Sequence, residues 1–143
     1  MSGRVLAVDY GRRRIGLAVS DPLGITAQGM PTVEVRDPSE AVPAIVAAAR
    51  EKEAETVVLG LPLQLDGREG PAAREVRAFG ARLSAALGCE VVYVDERLST
   101  AQADRVLDEM GTRRADRAPH RDRIAAQVIL GTYLAQRGSP RGS

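Results

Sequence analysis

The chain has one cysteine, one histidine, one lysine and no tryptophan among its 143 residues. With Cys89 alone, an internal disulfide framework and a cysteine zinc cluster are both excluded. With His120 alone, so is a site built from several histidines. One Phe and three Tyr are too few for aromatic stacking on bases to be a major binding mode. No apolar run approaches the roughly 18 residues of a membrane-spanning helix, and the N-terminus lacks the apolar stretch and cleavage pattern of a secretory leader. The expectation is a cytoplasmic protein with no membrane partner. Cys89, between Leu87 and Val91, reads as a small buried hydrophobe.

Net charge is also scarce. Twenty basic residues against 19 acidic ones leave +1, so global charge announces neither a nucleic-acid binder nor an acidic tail. The basic set is nevertheless lopsided, because 19 of the 20 are arginine. The 22 alanines make codon bias one sufficient cause. Phosphate binding is the other, since a guanidinium grips phosphate bidentately. Residues 112–123 hold five arginines against two aspartates, whereas residues 34–56 carry a net −3. Arg12, Arg13 and Arg14 follow closely after Asp9. Such asymmetry is the footprint of a surface that meets a phosphate backbone, although a solvated loop has the same composition.

The length suits a single domain with one core, expected over 1–137, with 138–143 as a flexible tail. Residues 5–8 are continuously apolar, as in a strand covered on both faces. From 13 to 20, Ile15, Leu17 and Val19 alternate with Gly16, Ala18 and Ser20, which predicts a hairpin partner for the first strand. A third strand is expected around 30–35, a helix from near Ser39, a strand over 56–60, a helix over 71–87 and a strand over 90–94. The 71–87 helix carries Ala72, Val76, Phe79 and Leu83 on one stripe, with Gly88 to end it. Ser99 and Gln102 resemble a capping box for a further helix ending at Gly111. An arginine-rich loop over 112–121 and a last helix over 121–136 follow. A meander followed by helical crossovers implies an α/β fold, with a mixed sheet and helices on both faces.

In such a fold, ligands gather at the carboxyl edge of the parallel strands. Asp9 ends the first strand, Gly60-Leu61-Pro62 lies just past the fourth, and Asp95-Glu96-Arg97 lies just past the fifth. Asp122 falls in the first turn of the last helix, on the face of Ala125, Ala126 and Ile129. Each acid alone has a plain structural reading: a turn acid before Gly11, a surface ion pair, a helix-start charge. Together they put three carboxylates at one rim, a cost that a hard divalent cation relieves. Two ions about 4 Å apart suit phosphodiester hydrolysis, one activating water and the other steadying the leaving oxygen. Strand alternation lets only one of Asp95 and Glu96 face the site.

These residues resemble the YqgF/RuvX family. The likeness rests on Asp9-Tyr10-Gly11 with Arg14 through Asp21, on Gly60-Leu61-Pro62 through Leu65-Asp66-Gly67, on Asp95 through Thr100, and on Asp122 with Ala125, Ala126, Ile129 and Leu130. It implies an RNase H-like five-stranded mixed β-sheet flanked by helices, related to the RuvC resolvases. Members are described as Holliday junction resolvases and as nucleases maturing the 5′ end of 16S ribosomal RNA. The resemblance makes Asp9, Glu96 and Asp122 the metal-binding catalytic acids for one or two Mg²⁺ or Mn²⁺ ions. RuvC-type sites have a fourth acid near the last helix; here Arg123, Ile124 and Ala125 follow Asp122.

The partner expected is branched DNA or pre-ribosomal RNA, with a homodimer if a four-way junction is cut symmetrically. Candidate nucleic-acid contacts are Arg12, Arg13, Arg14, Arg97, Ser99, Thr100, Arg113, Arg114, Arg117, His120 and Arg121, with Gly11, Gly60, Leu61 and Pro62 as the loop near the site. Two rival readings are a non-catalytic module on RNA or in ribosome assembly, and an actin-like nucleotide-binding domain. The latter normally needs two such domains around a cleft.

Overall fold

The computed structural model describes residues 3–96 and 117–138, without the side chains of 117–121 and 138. Five strands form one mixed sheet in the order β3-β2-β1-β4-β5. These are β1 (Arg4–Asp9), β2 (Arg14–Ser20), β3 (Ala27–Glu34), β4 (Ala54–Leu61) and β5 (Val91–Asp95). β1–β2 and β2–β3 pair antiparallel; β1–β4 and β4–β5 pair parallel. Helices α1 (Ala41–Glu51), α2 (Pro71–Leu87) and α3 (Arg117–Gly138) complete the described fold.

Strand periodicity explains the layering. Leu6, Val8, Ile15, Leu17, Val57 and Leu59 face one way and bury against Ile45 of α1 and Val76, Phe79 and Leu83 of α2. Val5, Ala7, Ala18, Val58 and Val94 face the other way, against Ala126, Ile129 and Leu130 of α3. Ser20 is the buried polar residue among those described, and its hydroxyl accepts the Val5 amide at 2.8 Å. That bond satisfies a donor beside the irregular register between Arg4 and Val5.

Several boundaries differ from the sequence expectation, each for a local reason. β3 starts at Ala27, because Asp21 Oδ1 accepts the Ile25 and Thr26 amides at 2.7 and 2.8 Å and closes the hairpin early. Those amide bonds also hold the Asp21 carboxyl below its ordinary range, the Thr26 bond foremost. Ser39 belongs to a 3-10 turn over Pro38–Glu40, and α1 proper begins two residues later. In α2, Pro71 occupies the first turn and Gly88 ends the helix at φ 74°. Its core stripe uses Ala73, while Ala72 is exposed. Cys89 is half-buried. Gly60 and Leu61 are the last residues of β4.

α3 begins at Arg117, so 117–121 is helix and Asp122 lies in the second turn. Pro119 does not prevent this, because the first-turn amides have no intrahelical partner to lose. The helix expected from Ser99 and the tail 139–143 lie outside the described residues. Among those described, no helix is long and apolar enough to cross a membrane.

Candidate active site

Three elements bring the acids to one edge of the sheet. Asp9 is the last residue of β1 and continues the Val5–Ala7 row on the α3 face. Glu96 follows β5 directly, and its amide donates to the Leu61 carbonyl at 3.2 Å. It therefore keeps the strand register and continues the Val92–Val94 row on the same face, whereas Asp95 alternates away and is exposed. Asp122 arrives on α3. Of these two acids, Glu96 is the one on the face of Asp9.

Two glycines make this convergence possible. Gly16 is the register partner of Asp9, and a Cβ there would overlap the Asp122 carbonyl oxygen. The backbone of α3 touches the sheet at the residue beside Asp9. β3 also bulges at this point: Ile15 pairs with Val33 and Leu17 with Met30, so Pro31 and Thr32 lie opposite Gly16 alone. Gly60 leaves room at the other acid. A Cβ there would stand 3.0 Å from Glu96 Oε1 and 2.5 Å from Ile129 Cδ1. Gly60 therefore accommodates the Glu96 carboxyl itself.

The Asp9 and Glu96 side chains are hydrogen bonded to each other. Burial raises Asp9 from 3.8 to about 6, with the Glu96 bond opposing and the Asp122 charge adding to the shift. Burial also raises Glu96, from 4.5 to about 8, with the Asp9 charge, their hydrogen bond and the Asp95 charge adding. Two carboxyls in contact share a proton because both cannot comfortably ionise without a cation. Among the described residues, no group of three Asp, Glu, His or Cys side chains is close enough to form a ready-made metal cage.

Asp9 and Glu96 open into a cleft of about 290 Å³ shared with Tyr10, Gly11, Arg12, Pro62, Ala72, Glu75 and Val76. The sequence reading missed Tyr10, Ala72, Glu75 and Val76 as wall residues. Tyr10 is braced by stacking on Phe79, ring centroids 4.2 Å apart. Gly11 shapes the turn, since a Cβ there would lie 2.5 Å from the Arg14 carbonyl oxygen. Arg12 is engaged bidentately by Glu75 at 3.1 and 3.0 Å. Arg13 and Arg14 turn to a separate groove, and the Arg123 stem lies over Gly29 of β3. Arg97, Ser99, Thr100, Arg113 and Arg114, and the side chains of Arg117, His120 and Arg121, lie outside the described residues.

Residues 3–136 match the family model for RuvX, described as a Holliday junction resolvase. The chain belongs to the RuvX family. A relative from Anaeromyxobacter dehalogenans, named "Putative pre-16S rRNA nuclease", is 46% identical over 134 residues, covering 94% of this chain and 98% of the relative. A relative of the same name from Synechococcus sp. is 43% identical over 141 residues, covering 95% and 91%. In three dimensions, Thermus thermophilus RuvC in complex with a Holliday junction substrate superposes with a TM-score of 0.57 at 20% identity, over 95% of this chain and 96% of that one. The fowlpox virus resolvase, also bound to Holliday junction DNA, gives 0.57 at 10% identity over 95% and 99%. The RuvX chain thus has the RNase H-like fold of the resolvases, as its motifs imply.

Proposed function

We propose that residues 1–137 of this RuvX-family hydrolase form one nuclease unit, cleaving phosphodiester bonds in structured nucleic acid through Asp9, Glu96 and Asp122 with Mg²⁺ or Mn²⁺. The observation that carries this reading is the hydrogen-bonded pair of Asp9 and Glu96 carboxyls at the carboxyl edge of the sheet, with the Asp122 backbone packed at Gly16 beside Asp9. The donor set fits a hard cation: it is all oxygen, and Mg²⁺ needs only one or two carboxylates when substrate phosphate and water supply the rest. The raised proton affinity of both groups marks a place where added positive charge is stabilising.

When bound, the ion supplies Lewis-acid stabilisation of the phosphate and a lowered pKa for attacking water. The chain's own residues do the positioning. Gly16 leaves room for the Asp122 backbone beside Asp9, Gly60 and the Leu61 carbonyl fix Glu96, and Tyr10, Gly11 and Pro62 shape the cleft that receives the scissile group. Arginines lie near the acids in sequence, Arg13 and Arg14 after Asp9 and Arg113 to Arg121 before Asp122, and supply backbone contacts.

We take the substrate to be the 5′ end of pre-16S rRNA, supported by the names of relatives that match nearly end to end. Four-way DNA junctions are the second reading, supported by the family description, and would need a two-fold dimer for symmetric cuts. A cytoplasmic location accords with either. The test is metal-dependent cleavage of pre-ribosomal RNA beside junction DNA, with Asp9→Asn as control. The expected outcome is cleavage of the RNA, abolished in the variant while folding and substrate binding persist. Undiminished cleavage by Asp9→Asn would reject the site.

A further inference from the structure

The three consecutive arginines after Gly11 do not act as one patch. Arg12 is tied to Glu75 of α2, whereas Arg13 and Arg14 line a second groove of about 550 Å³ with Glu34, Val35 and Arg36. This groove lies at the end of the sheet that carries the acids, because β2 begins and β3 ends where β1 terminates. Its frame is firm. The Val35 amide donates to the Arg13 carbonyl at 2.9 Å, and Val35 is buried.

Two nearby acids are occupied by backbone amides and are not part of the lining. Glu40 Oε1 accepts the Arg36 amide at 2.7 Å, and Asp37 Oδ1 accepts the Ser39 amide at 2.9 Å. Glu34, the register partner of Arg14, is the one carboxylate in the lining. The lining therefore holds three arginines against one carboxylate residue. Arg12, Arg68 and Arg77 are held in ion pairs with Glu75, Asp66 and Glu69. Arg13, Arg14 and Arg36 keep exposed guanidinium groups outside those pairs.

We infer that this groove is a second phosphate-binding site, one that takes the nucleic-acid backbone as it leaves the acid cleft over β2 and β3. The inference rests on the nuclease reading and adds to it Arg36 and the direction of the substrate path. The lining holds no aromatic ring, so it offers phosphate contacts without base stacking. Two strand steps of about 4.8 Å place β3 about 10 Å from β1. That is about three nucleotides at a rise of about 3.4 Å. The chemistry is the same for DNA and RNA.

The test measures binding of a labelled four-way DNA junction and a labelled RNA stem–loop by the full chain carrying Asp9→Asn, in Mg²⁺ buffer across a salt series. Arg13→Ala/Arg36→Ala is compared with Arg68→Ala, in which the guanidinium removed is one paired with Asp66. The groove variant is expected to weaken binding at least about tenfold and to lower the log–log salt slope by about two, one for each phosphate no longer neutralised. Arg68→Ala is expected to change affinity less than about twofold and leave the slope unchanged. A slope change on either probe or both supports the groove and names its backbone. If the groove variant behaves like Arg68→Ala on both probes, the groove inference is overturned and the nuclease reading stands. If the parent protein binds neither probe, both fall.

Discussion

On the α1/α2 face the strands present Leu6, Val8, Ile15, Leu17 and Leu59, and the helices answer with Phe79 and Leu83. On the α3 face the same strands present the smaller set Val5, Ala7, Gly16, Ala18, Val58 and Gly60. The first face is filled by side chains, and its helices ride on that bulk. On the second, helix backbone meets sheet backbone at Gly16. Close approach brings the α3 backbone at Asp122 beside Asp9, near enough for the Asp122 charge to act on the Asp9 carboxyl. One face therefore supplies most of the buried apolar volume, and the other spends its small residues on geometry.

The sharpest way to break this contrast is Gly16→Ala. The added methyl overlaps the Asp122 carbonyl, so α3 must shift at the residue beside Asp9. A misplacement of about 1 Å at a reacting centre costs on the order of 100-fold in rate. Single-turnover cleavage should fall by about that much while circular dichroism still reports a folded chain. Unchanged turnover would mean that the close approach at Gly16 does not set the acids.

Leu83→Ala is the mirror experiment on the bulky face. Leu83 is fully buried, and its removal should cost about 2–5 kcal/mol in urea unfolding. Cleavage per folded molecule should be nearly normal. A large drop in that rate would erase the division of labour between the faces.

A smaller effect concerns pH. The folded-state values of Asp9 and Glu96, about 6 and about 8, lie above their ordinary 3.8 and 4.5. The folded metal-free protein therefore binds more protons than the unfolded chain. The resulting stability is complete below the ordinary values and is lost as pH rises through about 6 and then about 8. Thermal melts without divalent ions should drop between about pH 5 and about pH 8.5. Mn²⁺ should raise the midpoint more at the high end than at the low end. A midpoint independent of pH and Mn²⁺ would count against cation binding by this pair.

The smallest effect is expected at Arg12→Ala, which removes a surface ion pair with Glu75. Exposed pairs contribute little to folding, so the melting temperature should stay within experimental error.

Much of this was legible because period-two patterning speaks through strands covered on both faces. Ile15, Leu17 and Val19 against Gly16 and Ala18 already separate the bulky face from the small one. The order of elements and the family motifs carried the fold, and alternation carried the rule that Asp95 and Glu96 oppose each other. What was not legible depends on docking. Tyr10 and Glu75 become cleft walls only when α2 packs over β4 and β5 and Phe79 stacks on Tyr10. The fate of Arg12, Arg13 and Arg14 depends on which partner each meets after the turn. The start of α3 was misplaced because an arginine-rich stretch with Pro119 reads as loop, yet proline is compatible with a first helical turn.

The bulge at Pro31 and Thr32 has a second consequence, at the open border of the sheet. β3 is an edge strand, and an edge strand with an unbroken row of amides invites another chain to zip alongside. Pro31 has no amide hydrogen to offer, and the bulge twists the strand just where such a ladder would run. The irregularity that faces Gly16 on one side thus interrupts, on the other, the row of amides along which a further strand would pair.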